Sequence, residues 1–456
     1  MAIETARNNL RRGFPRRCNV TTTWPDGGSK SAALFNRARA VLPGGISRLQ
    51  TWVDPFPIYA QRGEGAYIVD VDGTRRLDMM NNFASLIHGH AHPRVIKAAT
   101  GAAAQGSCFA MPTEAEVAMA ELLCERVASV DRVRFCNSGT EAVMIALKAA
   151  RARTGRPRIA KIEGAYHGMY DYSEVSLDSA PSNWGNDPRS VRFAEGSPQA
   201  VLDDTVIFPH NDVETAERIL RDAGNTLAAI LIDPAPGVFG MIPMTTDFVA
   251  MIQQVARDIG ASIIIDEVIA FRLGYHGAQD RFAIKPDYTT FAKIIGGGFP
   301  VGAVAGTEAA MAVFSHQDGK PLNPSSGTFT ANPVTMSAGL ATMELMTPEA
   351  YDNLEVLGDH ARKVSVQAIQ AAGVTGQVTG VGGMFALHLH DRPITNYRDA
   401  YPVGDESARG KALHLALLND GYIMSPKLSS FLSTAMTVGE LDGFGEALEK
   451  GLRGLD

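Results

Sequence analysis

No run in this sequence approaches the roughly 20 consecutive apolar residues that a helix needs to cross a bilayer, so it offers no candidate helical span. Cysteine is scarce. The four present, Cys18, Cys108, Cys124 and Cys136, have neither metal-ligand spacing nor the density of a disulfide framework. They fit structural thiols in a reducing compartment, here read as the cytoplasm. Positive charge is also short: a net charge of -7 argues against nucleic acid or an anionic membrane as the main partner. No internal repeat and no low-complexity linker interrupts the chain. No G-x-G-x-x-G follows a strand pattern and no Walker lysine motif occurs, so nicotinamide and nucleoside-triphosphate readings lose ground.

What is present is ordinary globular composition, 45% hydrophobic and 20% charged over 456 residues. That length suggests one large domain with a smaller one beside it. The start, "MAIETARNNLRRGFPRRCNV", is arginine-rich like a transit peptide. It also carries Glu4 and little apolar surface, and we read it as a surface arm, disordered or docked on a partner subunit. "SKSAALFNRARAVLPGG" reads as an amphipathic helix stopped by Pro43 and Gly44. "GEGAYIVDVDGTRRLDMM" alternates like a hairpin turning at Asp72-Gly73.

From about residue 112, helical stretches such as "TEAEVAMAELLCERVAS" and "GTEAVMIALKAARARTG" alternate with short apolar runs, "VRFCN", "RIAKI", "AAILID" and "ASIIIDEV". That alternation predicts an α/β fold, a mostly parallel sheet flanked by helices. Further on, "MFALHLH", "GYIMS" and "SFLSTAM" supply strands for a smaller α+β domain. The expected division is 1–75 for the arm and part of the small domain, 76–335 for the large domain and 336–456 for the C-terminal small domain.

In such folds ligands bind beyond the C-terminal ends of the strands. Lys293 lies in "TTFAKIIGGGFPVGAVAG" with no other charged side chain. It is either a surface lysine before a glycine-rich loop or an amine kept neutral for reaction with a carbonyl compound. Asp266 ends "ASIIID", either as a local cap or ion pair, or as a carboxylate facing a ligand. Asn137-Ser138-Gly139-Thr140 leads from a strand into a long helix, which makes either a plain N-cap or a phosphate cup. Tyr166, His167 and Gly168 in "EGAYHGMY" form either a packed loop or a platform for a flat ring. Taken together, an amine, a carboxylate for a ring nitrogen, a phosphate cup and a stacking aromatic are what pyridoxal phosphate requires.

The segments "NSGTEA", "YHG", "DEV", "KIIGGGFPVGA" and "GTFTANP", in this order and spacing, resemble class III pyridoxal-phosphate aminotransferases of fold type I over nearly the whole chain. Within them the chain looks similar to the glutamate-1-semialdehyde aminomutase-like branch, which also holds enzymes acting on β-amino acids such as β-phenylalanine. The resemblance implies that Lys293 forms the imine with the cofactor and then moves the proton. It implies that Asp266 pairs with the pyridine nitrogen and that Val268 packs opposite Tyr166. It also implies that Ser138, Gly139, Thr140 and His167 belong to the cofactor site, and that Thr328 reaches the phosphate of a neighbouring subunit in a homodimer.

For the substrate, Arg48 in "PGGISRLQTWVDPFP" matches a carboxylate-binding arginine of the β-amino-acid branch; the alternative is an exposed arginine beside a turn. Arg272 in "DEVIAFRLGYHG" is either structural or a second substrate contact. Lys427 in "SPKLSS" stands where that branch often has an arginine, and a lysine is a point charge, not a fork. Trp52 and Phe56 line a side-chain pocket or belong to the core. The expected activity is amino transfer from a β-amino acid or related amine to 2-oxoglutarate or pyruvate in two half-reactions. The rivals are an intramolecular aminomutase and a binding role without catalysis.

Overall fold

The computed structural model describes residues 18–455 except 22 and 318, so most of the expected N-terminal arm lies outside the described residues. Strands β1 (Ala60–Glu64), β2 (Tyr67–Asp70) and β3 (Arg75–Asp78) form an antiparallel ribbon. Its β2–β3 turn is the one expected: Gly73 has φ +89, and Asp70 Oδ1 accepts from the amides of Asp72 and Thr74 at 3.0 and 2.8 Å. The helix before it, Lys30–Ala38, ends earlier than expected. Leu42 precedes Pro43 and is extended (φ -120, ψ 133), as a residue before proline must be, so the chain leaves the helix ahead of it.

The central sheet contains β4 (Arg132–Cys136), β5 (Arg158–Ile162), β6 (Thr205–Phe208), β7 (Leu227–Ile232), β8 (Ser262–Asp266), β9 (Tyr288–Ala292) and β10 (Gly302–Gly306). Their order is β4-β10-β9-β8-β7-β5-β6, with β10 antiparallel to both neighbours and the remaining pairs parallel. Both faces of β6, β7, β8, β9 and β10 are buried, while β4 is exposed or half-buried over Arg132–Arg134. Ile263 and Ile265 face Phe248, Ile252 and Val255 of helix Thr246–Ile259, while Ile264 faces the alanine-rich helix Gly139–Thr154. That is the period-2 geometry of a doubly covered sheet, and each such side chain contributes about 1.5–3 kcal/mol of transfer free energy.

Strands β11 (Gln377–Val381), β12 (Met384–His388) and β14 (Ser429–Phe431) form a third, antiparallel sheet, and β13 (Tyr422–Ile423) adds parallel to β3. The N-terminal ribbon and the C-terminal segment therefore share a sheet. The expected division at 75/76 falls at the start of β3, which hydrogen-bonds to both, and the one at 335/336 falls inside helix Pro333–Leu345. A helix or a paired strand moves as one piece, so neither position is a linker.

Candidate active site

The C-terminal ends of the parallel strands meet at one edge of the sheet, and chemistry collects there. Asn137 follows β4, Asp233 follows β7, Asp266 closes β8 and Lys293 follows β9. Together with Ser138, Gly139, Thr140, Tyr166, His167 and Val268 they line a cavity of ≈ 380 Å³. Lys293 has φ +52, a left-handed conformation that costs a lysine of order 1–3 kcal/mol and survives only where its surroundings impose it. The chain then turns tightly from Lys293 to Gly296. Gly297 (φ +61) must be glycine here, because a Cβ would stand 2.5 Å from the Ala338 carbonyl oxygen.

The anion cup is built from local geometry. Ser138 caps the 16-residue helix Gly139–Thr154, its Oγ accepting from the Glu141 amide at 3.1 Å. Its hydroxyl proton remains available, so the N-cap and the phosphate cup are compatible roles of one residue. Thr140 Oγ1 accepts from the Met169 amide at 3.2 Å. Gly168 (φ +88) lets that loop close in, since a Cβ would lie 2.6 Å from Thr140 Oγ1. The helix dipole and free amides at this end favour a phosphate.

The carboxyl groups divide by their donors. Asp266 accepts three hydrogen bonds, from His167 Nδ1 (2.8 Å), the Val268 amide (2.9 Å) and Thr290 Oγ1 (3.2 Å). Burial pushes the His167 imidazole down, so it is neutral and its Nδ1–H donates to Asp266. Among the described residues Asp233 accepts only one, from the Ala235 amide at 3.0 Å. Burial, then the nearby Asp266 charge, raises Asp233 to about 8. With so few donors and with burial raising it, Asp233 is the carboxyl group that holds a proton at neutral pH. Lys293 is half-buried and lines the cavity. Desolvation brings its amine down to about 8, against the opposing pull of Asp266 and Asp233. The cavity thus offers an amine that gives up its proton far more easily than an ordinary lysine, a firmly held carboxyl group, an anion cup and an aromatic face. Pyridoxal phosphate fits that set.

At the mouth of the cavity the backbone takes an unusual path. Asn81, Asn82, Phe83 and Ala84 have φ of +45, +48, +55 and +71, a left-handed turn without glycine. Such a turn costs about 1–2 kcal/mol per residue, less for asparagine, and it is fastened on several sides. Asp78 Oδ1 accepts from the amides of Met80 (2.9 Å) and Asn81 (3.0 Å), and Asn81 Nδ2 donates to the carbonyls of Asp78 (3.0 Å) and Phe431 (2.7 Å). Asn82 and Ser85 line the cavity. Arg48 is exposed, with Nη1 donating to Asn82 Oδ1 at 2.9 Å and its guanidinium 5.2 Å from the centre of the Phe83 ring.

Three expected residues stand apart from this cavity. Arg272 is 2% exposed and donates to the carbonyls of Leu432 and Ala84, with no carboxylate partner among the described residues and its pKa pushed to about 10 by burial. Its position is that of an internal tie. Lys427 lines a second cavity of ≈ 370 Å³ between β12 and the loop Gly237–Gly240. Thr328 is exposed and outside this chain's own cavity; its neighbour Gly327 packs on Asn137, where a Cβ would meet Nδ2 at 2.9 Å. Trp52 and Phe56 pack with Phe35 and Trp24, away from the site. Sequence reasoning passed over Asp233, although "AAILID" ends in the same strand-end carboxylate signal as "ASIIID". It also passed over Asn82, for which "MMNNFAS" gives no signal. Among the described residues no group of three or more metal-ligating side chains gathers, and no helix is long and apolar enough to cross a membrane.

The sequence matches the family Aminotransferase class-III over residues 49–429. It is 38% identical over 431 residues to the glutamate-1-semialdehyde 2,1-aminomutase of Aeropyrum pernix, covering 94% of this chain and 97% of the relative. An omega-transaminase structure from Sphaerobacter thermophilus superposes with TM-score 0.92 at 48% identity, covering 94% of this chain and 98% of that one. A β-phenylalanine aminotransferase from Variovorax paradoxus does so with TM-score 0.83 at 31% identity, covering 93% and 94%. With its parallel-rich sheet carrying an amine and a carboxylate at one edge, the chain belongs to the class III aminotransferase family, pyridoxal-phosphate enzymes of fold type I.

Proposed function

We propose that this protein is an aminotransferase that takes the amino group of a β-amino acid or related amine and passes it to a 2-oxo acid, 2-oxoglutarate or pyruvate. The observation that carries the reading is Arg48, an exposed arginine fork bonded to Asn82, which lines the Lys293 cavity, and set over the Phe83 ring. A planar guanidinium accepts a carboxylate bidentately. A fork there suits a substrate whose carboxylate lies away from its reacting amine. The 48% and 31% identities to an omega-transaminase and a β-phenylalanine aminotransferase support it.

When bound, pyridoxal phosphate supplies the electron sink for breaking bonds at the amine-bearing carbon. In this reading Ser138, Gly139 and Thr140 hold its phosphate, Tyr166 and Val268 cover its ring, and Asp266 keeps its ring nitrogen protonated. His167 donates to Asp266 from behind. Lys293 would hold the cofactor covalently, and its amine, which loses a proton far more easily than an ordinary lysine, would move a proton to and from the substrate carbon. Thr328 would come from a second copy, making the active unit a homodimer, and the compartment is the cytoplasm. Lys427 would serve only a substrate group that extends toward the second cavity, and Arg272 would act through the backbone.

An aminomutase is the second reading, favoured by the 38% identity to the Aeropyrum pernix relative. The deciding experiment follows the absorbance of the purified holoenzyme with β-phenylalanine alone, then glutamate formation after 2-oxoglutarate is added. A donor-driven spectral change and stoichiometric glutamate are expected. Turnover of glutamate-1-semialdehyde without a second substrate, with no response to any amino donor, would replace this proposal by the aminomutase.

A further inference from the structure

We infer that Asn82 is a specificity-setting positioning residue, which fixes Arg48 at the cavity mouth so that the protein prefers amines bearing a carboxylate one carbon beyond the amine-bearing carbon. This rests on the reading of Arg48 as the carboxylate clamp. Asn82 belongs to both parts of the site: its side chain lines the cavity that holds Lys293, and its Oδ1 takes the only hydrogen bond the Arg48 guanidinium makes to the described residues. A guanidinium has five N–H donors, so the rest of the fork stays open to a ligand. Phe83, the next residue, supplies the ring face beneath the cation.

The left-handed turn is what allows this. Successive residues at φ +48 and +55 put the amide of Asn82 and the ring of Phe83 against the same guanidinium. The asparagine is itself oriented, its Nδ2 donating to Ser85 Oγ at 2.9 Å while Ser85 Oγ donates back to the Asn82 carbonyl at 3.0 Å. Nδ2 is therefore engaged and Oδ1 is the atom left for Arg48. An exposed arginine on a long stem otherwise samples many rotamers. Restraining it concentrates the positive charge at one distance from the amine, and that distance selects among substrates.

The conformation also supplies a clean variant. Glycine is at ease at φ +48, so Asn82→Gly removes the side chain while relieving backbone strain, and the melting temperature is expected to hold or rise. The substrates compared are 3-amino-3-phenylpropanoate and 1-phenylethylamine, matched except for the carboxylate. Asn82→Gly should raise KM for the first about tenfold relative to KM for the second, the scale of one hydrogen bond to a charged group, with the ratio of the two kcat values changing much less. Calorimetric binding of the unreactive 3-phenylpropanoate to the holoenzyme should weaken by the same factor. Arg48→Ala should weaken it at least as much, and adding Asn82→Gly to it should do nothing more, because the two act as one unit. If Arg48→Ala leaves carboxylate binding intact, the clamp reading fails and this inference with it. If Arg48→Ala weakens binding but Asn82→Gly does not, affects both amines alike, or adds to Arg48→Ala in full, the clamp stands and the role of Asn82 is overturned.

Discussion

Lys293 shares its cavity with two carboxyl groups, and their protonation determines how reactive the amine is. Desolvation lowers its pKa to about 8, and the negative charge of Asp266, joined by that of Asp233 once it ionises near the same pH, resists that fall. Competitive acetylation of the cofactor-free protein, read by mass spectrometry, should show Lys293 half-reactive near pH 8, where an ordinary lysine is half-reactive at about 10.4. Asp233→Asn removes one of the resisting charges and should move that midpoint lower. A midpoint at the ordinary value would mean that the amine is solvated. Stability provides a second measure of Asp233. Its folded pKa, about 8, lies above the unfolded value of 3.8, so the folded state binds the extra proton between them. Its contribution is fully present below about pH 4 and is lost as the pH rises through 8. Denaturation midpoints of the cofactor-free protein should thus fall over that window, and less steeply in Asp233→Asn. Lys293, depressed from 10.5 to about 8, acts in the opposite sense at higher pH, adding stability as the pH climbs between those values.

At the scale of elements, the strand ends were readable and the connections were not. Asp266 stood out because it closes the apolar run of β8, a pattern that burial on both faces produces in the sequence, and Lys293 because it is the one charged side chain between Thr289 and Gly306. Asp233 carried the same pattern. The left-handed turn was silent because it contains no glycine; it is imposed by Asp78, by Asn81 and by Phe431, which is distant in sequence. Arg272 was ambiguous for a related reason: an arginine in the short turn Ala270–Leu273 reads the same whether it meets solvent or, as here, the carbonyls of Ala84 and Leu432. Those contacts join the end of the left-handed turn to the residue after β14. Arg272→Lys should shorten the reach and leave a buried carbonyl unpaired, costing about 1–3 kcal/mol of stability in chemical denaturation. Michaelis constants for donor and acceptor should change less than twofold. A large rise in one KM at unchanged stability would instead make Arg272 a substrate contact.

At the scale of the whole molecule, the segment around Thr328 packs beside the anion cup through Gly327 yet leaves Thr328 itself on the surface. Thr328 is exposed, Phe329 beside it is 62% exposed, and Met169 on the other side of the Asn137–Thr140 turn is 71% exposed. Apolar surface flanking an anion cup suits a neighbouring copy that covers it and completes the cup, a C2 arrangement in which each chain lends a residue to its partner's site. Complementation tests this directly. Lys293→Ala removes the amine, and Thr328→Glu sets a negative charge against the phosphate; each homodimer should be inactive. Co-expressed at equal levels, the two chains should form mixed dimers in which one site has both Lys293 from one chain and Thr328 from the other. Random pairing makes half the dimers mixed with one good site each, so about a quarter of wild-type activity should return. If Thr328 served its own chain, every site in every combination would lack one of the two groups and no activity would return. Restored activity therefore requires that the active site be built across two copies of the chain.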